Sequence, residues 1–183
     1  MSFRYEIRLS GSGGQGLILV GKILAEAAAI YDDKNAIQSQ SYGPEARGGT
    51  SRSEVIISDA EIDYPKAEKV DLLLAFTQEA CDKYSLEIKE KGILLVDSGN
   101  VTRLPQGNYK IYALPITEIT EKELGRALFS NIVALGIITE LTGVVSKEAI
   151  ESAIRARVPK GTEKFNLKAF KIGFGLAQKL KPG

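Results

Sequence analysis

A three-layer α/β/α fold around a mostly parallel but mixed sheet is what the sequence predicts, and three observations predict it. An alternating N-terminal segment runs through a glycine turn into a stretch rich in Leu, Ile and Ala, the first half of a β-α-β unit. Two continuous apolar runs, residues 71–76 (DLLLAF) and 92–97 (GILLVD), have the character of central strands covered on both faces. Segments with the length and composition of helices separate and follow them.

Residues 3–9 (FRYEIRL) alternate apolar and charged side chains with the period of a strand. Residues 17–30 contain no breaker except Gly21 and predict a largely buried helix, ended by Tyr31-Asp32-Asp33. Residues 35–40 predict a short second strand, and residues 41–50 a shaped loop built on Tyr42-Gly43-Pro44 and Gly48-Gly49. Residues 51–58 predict the antiparallel member of the sheet, because too little chain precedes them to hold a crossover helix.

A helix is expected over 78–91, between the two apolar strands, then a strand at 109–114 and a short acidic helix at 116–126. Residues 131–141 are nearly all apolar and predict a buried helix. Ser146 should cap a helix running to Arg157, Pro159 and Gly161 interrupt, and residues 167–180 close the chain as a helix.

A chain of 183 residues fits one domain spanning 1–183, with no repeat or low-complexity tract. No apolar run approaches the ~20 residues of a membrane span, and nothing at the start resembles a secretory signal, so a soluble, cytoplasmic protein is expected. Neither a membrane nor a nucleic acid is expected among its partners. The single cysteine, Cys81, and the absence of histidine exclude a cysteine-held iron–sulfur cluster, a thiolate or imidazole zinc site and a histidine-based triad. Acidic neighbours at Glu79 and Asp82 argue against Cys81 as a nucleophile. Residues 147–181 carry nine Lys or Arg against three Asp or Glu, most simply a solvated helical face, although such a patch also suits phosphates or an acidic partner.

Gly11-Ser12-Gly13-Gly14-Gln15-Gly16 satisfies G-x-G-x-x-G between a strand and a helix, where small residues let a phosphate approach backbone N–H groups. A dinucleotide site also wants an acidic residue after the second strand, but that strand ends in Gln38-Ser39-Gln40-Ser41. The glycines could also serve only a tight turn and close helix packing. Arg47 suits bidentate contact with a phosphate or carboxylate, or a surface pair with Glu45. Asn131 could cap the buried helix or contact a neighbouring loop.

The glycine turn, the block 38–49 (QSQSYGPEARGG), Asn131 to Gly136 (NIVALG) and 166–170 (NLKAF), in this order and spacing, resemble the gamma subunit of the 2-oxoacid:ferredoxin oxidoreductases. The group includes pyruvate synthase and 2-oxoglutarate synthase. The resemblance implies a Rossmann-like domain of the type found as domain III of pyruvate:ferredoxin oxidoreductase. It also implies a non-catalytic subunit of a complex that decarboxylates a 2-oxoacid on thiamine diphosphate, passes electrons through iron–sulfur clusters to ferredoxin and yields an acyl-CoA. Thiamine diphosphate, Mg and the clusters then belong to alpha, beta and ferredoxin-like delta subunits, and no cofactor is held firmly by this chain alone.

By the same resemblance, Gly11, Gly13, Gly14, Gln15, Gly16 and Arg47 either contact coenzyme A or fix the loop that packs on the partners. Tyr42, Gly43, Pro44, Glu45, Gly48, Gly49 and Asn131 fall on the subunit interface. The preferred substrate is 2-oxoglutarate, with pyruvate, branched-chain oxoacids and arylpyruvates open. The alternatives are the beta chain of indolepyruvate:ferredoxin oxidoreductase, an independent dinucleotide-binding module, and a purely structural gamma subunit.

Overall fold

The computed structural model describes residues 3–42 and 50–181, Tyr42 by its backbone alone. The N-terminal alternation forms β1 (Arg4–Ser12), which extends past the predicted end into the glycine motif because Gly11 and Ser12 still pair with Ser51 and Thr50. α1 (Leu17–Glu26) ends in a π-helical turn, Ala27–Tyr31, where Asp32 N–H bonds Ala27 O. β2 (Asn35–Tyr42) and β3 (Thr50–Ser58) follow, then β4 (Val70–Ala75), α2 (Gln78–Tyr84), β5 (Ile88–Asp97) and β6 (Lys110–Leu114). The helices α3 (Ile116–Leu124), α4 (Ser130–Thr142), α5 (Lys147–Arg157) and α6 (Glu163–Gln178) complete the described chain.

The six strands lie in the order β2-β3-β1-β4-β5-β6. β1, β4, β5 and β6 are mutually parallel, and β3 runs antiparallel to both its neighbours, as its short connection requires. Side chains alternate across β1: Ile7 and Leu9 join a core with α1, α4, α5 and α6, while Arg8 and Ser10 face the other way. On that second face α2 alone among the described helices covers the sheet, packing Ala80, Cys81 and Tyr84 on Leu73, Leu94 and Val96.

The helix expected over 78–91 stops at Tyr84, and this corrects the sequence reading. Thr77 Oγ1 caps its start by accepting Ala80 N–H at 3.2 Å, but Ile88 pairs with Val70 in the sheet. Lys91, at φ 63°, and Gly92 turn the strand through a register shift. Lys89 anchors the irregular segment by bonding Glu6 and Asp71, each at 2.9 Å. Burial disfavours its charge, yet those two partners outweigh burial and raise its pKa.

α6 begins four residues before the predicted start, because Asn166 Nδ2 bonds back to Thr162 O and Thr162 Oγ1 at 3.0 Å each. α4 and α6 cross at two glycines: a Cβ on Gly136 would collide with Phe170 O, and one on Gly173 with Val133 O. Arg8 is only 2% exposed; it bonds Glu54 at 3.2 Å, Glu87 and Ala67 O at 3.1 Å, and lies 5.0 Å from the Tyr84 ring. The basic C-terminal third largely forms the expected solvated face: Lys164, Lys168 and Lys171 are exposed along α6.

Candidate functional site

The chain leaves β1 through α1 for β2 on one side of it and leaves β4 through α2 for β5 on the other, so the strand order diverges between β1 and β4. In an open α/β sheet the crevice beyond the carboxyl ends of such strands is where ligands bind. The glycine turn stands at that edge. Gly14 and Gly16 adopt left-handed backbone, φ 84° and 73°, which lets β1 reverse directly into α1.

Gln15 folds back over the turn, its Oε1 accepting Ser12 N–H at 2.8 Å. Gly11 is buried inside β1, and a Cβ there would collide with that same Oε1. Gly13 and Gly14 are exposed, with nothing within 4 Å of an added Cβ. α1 has Gly16 as its N-cap, with no side-chain cap and no acidic residue in its first turn, so no acidic side chain of that turn opposes its free N–H groups and positive dipole end.

Two clefts flank the turn. One, of about 290 Å³, is lined by Gln15, Phe76, Asn100, Thr117 and Ser130, from just beyond the ends of β1, β4 and β5, the first turn of α3 and the start of α4. The other, of about 230 Å³, lies between the turn and the α5–α6 connection and includes Gly16, Leu19, Arg126, Pro159 and Asn166. Beneath the first lies the fully buried Asp97, which accepts from Asn100 Nδ2 at 3.2 Å and from Thr117 Oγ1.

Of its two expected roles Asn131 takes the contact with a neighbouring loop and not the cap, since it is the second residue of α4, whose N-cap position is Phe129 and carries no side-chain cap. Its Nδ2 donates to Gly16 O at 3.1 Å, and its Oδ1 accepts Ile132 N–H at 2.9 Å within its own helix. At 7% exposure it is chiefly an internal tie between α4 and the turn. Gly43, Pro44, Glu45, Arg47, Gly48 and Gly49, and the Tyr42 side chain, lie outside the described residues. Tyr42 and Thr50, which flank that segment, stand at the sheet edge that carries the glycine turn, since Ser51 pairs with both Tyr42 and Gly11.

Asp97, Asn100, Thr117, Arg126 and Leu128 escaped the sequence reading. Asp97 carried one usable signal, an acid closing an apolar strand. The others come from the β5–β6 connection, the first turn of α3 and the α3–α4 connection, and meet only in three dimensions. Cys81 lies fully buried on the sheet-facing side of α2, where burial first and Asp82 second push its thiol pKa up. Among the described residues no group of three or more His, Cys, Asp or Glu is placed to hold a metal ion. One buried cysteine and no histidine do not fit an iron–sulfur cluster on this chain.

The model of the family described as pyruvate ferredoxin/flavodoxin oxidoreductase matches residues 6–176. The chain is 52% identical to 2-oxoglutarate synthase subunit KorC of Methanocaldococcus jannaschii, over 98% of this chain and 97% of that protein. A solved keto/oxoacid ferredoxin oxidoreductase gamma subunit from Geobacter sulfurreducens PCA is 59% identical and superposes with a TM-score of 0.87, over 96% of this chain and 99% of that one. A 2-oxoglutarate:ferredoxin oxidoreductase from Magnetococcus marinus, with 2-oxoglutarate, coenzyme A and succinyl-CoA bound, superposes with a TM-score of 0.86 at 25% identity; the match covers 98% of this chain and 32% of that one.

Proposed function

Because this chain belongs to the pyruvate ferredoxin/flavodoxin oxidoreductase family, we propose that it is the gamma subunit of a complex that oxidises 2-oxoglutarate with ferredoxin as electron acceptor. The 2-oxoglutarate preference is supported by similarity to the archaeal synthase subunit over nearly the full length of both chains. The product of such a reaction is succinyl-CoA, with carbon dioxide released and electrons delivered to ferredoxin. This chain is read as one gamma-type domain over 1–183, working in the cytoplasm beside alpha, beta and ferredoxin-like delta subunits.

The reading assigns this chain no bond-breaking step. Thiamine diphosphate with Mg, and the iron–sulfur clusters, belong to the partner subunits. Their chemistry is decarboxylation and electron transfer, and the donor set of this chain suits neither.

The task of this chain is to present the coenzyme A side of the site. One observation carries that assignment: the open glycine turn exposes an uncapped α1 N-terminus between two clefts at the ligand-binding edge of the sheet. Gly13, Gly14 and Gly16 admit the ligand to the backbone, and Gln15 and Gly11 hold the turn in shape. Arg47 is proposed as a phosphate contact, with Tyr42, Gly43, Pro44, Glu45, Gly48 and Gly49 carrying the subunit interface.

The test is anaerobic purification of the tagged chain from its host, identification of the copurifying chains, and assay of CoA-dependent dye reduction with 2-oxoglutarate, pyruvate, branched-chain oxoacids and arylpyruvates. Thiamine- and cluster-bearing partners with highest kcat/KM on 2-oxoglutarate are expected. A monomer retaining a dinucleotide overturns the proposal, and a complex faster on another oxoacid overturns the substrate. Arg47→Ala should raise the CoA requirement; an unchanged requirement removes Arg47 from the phosphate role.

A further inference from the structure

The clefts on either side of the glycine turn differ in charge, and that difference carries an inference resting on the coenzyme A reading above. Gly14, Gln15, Leu128 and Asn131 line both, so the clefts are two lobes of one groove. Leu128, 70% exposed, stands at the saddle between them.

One lobe is positive. Arg126 lines it, is exposed, and takes part in none of the ion pairs among the described residues. Its backbone is extended, φ −146° and ψ 118°, between left-handed Gly125 at the end of α3 and the 3₁₀ turn Ala127–Phe129. Gly16 and Leu19 bring the start of α1 into the same lobe, and its dipole adds positive potential. Pro159 on the far wall is followed by the exposed Lys160.

The other lobe has no cation among the described residues that line it. Thr117 and Asn100, which line it, both donate to the buried carboxylate of Asp97. A phosphate placed there would meet donors already engaged and a negative charge behind them.

We infer that the groove takes an extended ligand in one direction only. The phosphate-bearing end lies in the lobe of Arg126, with the guanidinium as its anion contact, and the uncharged arm crosses Leu128 into the lobe of Asn100 and Thr117. For coenzyme A this sets the nucleotide against Arg126 and sends the thiol arm toward the carboxyl ends of β5 and β6. Arg126 is therefore a specificity residue that separates coenzyme A from an acceptor bearing the same arm without phosphates.

The experiment uses the whole complex with 2-oxoglutarate and compares two acceptors, coenzyme A and pantetheine. Arg126→Ala should raise the KM for coenzyme A about 10- to 100-fold, as expected for one lost hydrogen-bonded charge contact, and leave that for pantetheine unchanged. Arg126→Lys should recover part of the loss, because it keeps the charge without the fork. Leu128→Trp, a bulkier side chain on an exposed position, should raise the KM for both. If Leu128→Trp acts and Arg126→Ala does not, the orientation is overturned and the coenzyme A reading stands. If neither variant changes either KM, both are overturned. Equal increases for the two acceptors in Arg126→Ala, or loss of partner subunits on purification, assign Arg126 to the fold or an interface and also overturn the inference.

Discussion

Asn131 donates its side-chain amide to the carbonyl of Gly16 at 3.1 Å, across 115 residues of sequence. The contact ties the buried helix α4 to the N-cap of α1, so the position of the glycine turn depends on the packing of the C-terminal half. The close fit is mutual: a Cβ at Gly16 would strike that amide, and φ 73° would strain any L side chain placed there.

Asn131→Ala should lower stability by about 0.5–1.5 kcal/mol, the net worth of one hydrogen bond, since Gly16 O still accepts Val20 N–H at 3.3 Å. At roughly 2–4 °C per kcal/mol for a chain of this size, thermal denaturation resolves the change. Gly16→Ala should cost a similar amount from backbone strain plus displacement of Asn131. In the double variant the collision term vanishes, so the combined loss should be smaller than the sum. Strict additivity would show that the two residues do not press on one another.

Gly173→Ala and Gly175→Ala sit two positions apart on α6 and should have opposite signs. At Gly173 a methyl group meets the Val133 carbonyl of α4, whereas at Gly175 nothing lies within 4 Å. Gly173→Ala is expected to cost about 3 kcal/mol or more through forced helix separation. Gly175→Ala should stabilise by up to about 1 kcal/mol from helix propensity. Chemical denaturation of the pair checks both, and equal destabilisation would contradict the packing described for α4 and α6.

Removing Arg8 leaves the nearly buried Glu54 with Arg52, at 3.3 Å, as its remaining ion-pair partner. Arg8→Met should cost about 3–5 kcal/mol, the range for breaking a buried ion pair. Adding Glu54→Gln should recover part of that loss by discharging a buried carboxylate left with Arg52 alone. A measured loss below 1 kcal/mol in urea unfolding would mean that the cluster contributes little.

The Cys81 thiol is fully buried and its pKa is raised, so the native state holds the proton more tightly than the unfolded chain. Its contribution to stability is complete below the ordinary thiol pKa of about 8.5 and is lost as pH rises through the higher native value. Between those values stability should decline less steeply with pH in Cys81→Ala than in the parent chain. Native protein should also resist a thiol reagent at pH 8 until it is unfolded, and rapid labelling of the folded chain would contradict the burial.

Strand positions were legible because period-two alternation and continuous apolar runs reflect burial directly, as in β1, β4 and β5. The antiparallel sense of β3 followed from chain length alone. The boundary between α2 and β5 was not legible: residues 88–91 (IKEK) have helical composition, and they join the sheet because Val70, Glu6 and Asp71 offer Ile88 and Lys89 partners distant in sequence. The glycine turn was visible as a motif, but nothing local announces that Gln15 closes it or that Asn131 supports it.

By itself the sequence determined the layer order, the mixed sheet, the glycine turn at a strand end and, through four motifs in fixed order, the family. Each of these is written in neighbouring residues, where periodicity and local backbone preference act. Only the tertiary structure decided that Asn100, Thr117, Arg126 and Leu128 share one groove around that turn, and that its two lobes differ in charge. Those residues come from three separate segments, and the forces that bring them together are the burial of α4 against α1 and α6 and the parallel pairing of β1, β4, β5 and β6. Such contacts act between distant segments and leave no pattern in the chain between them.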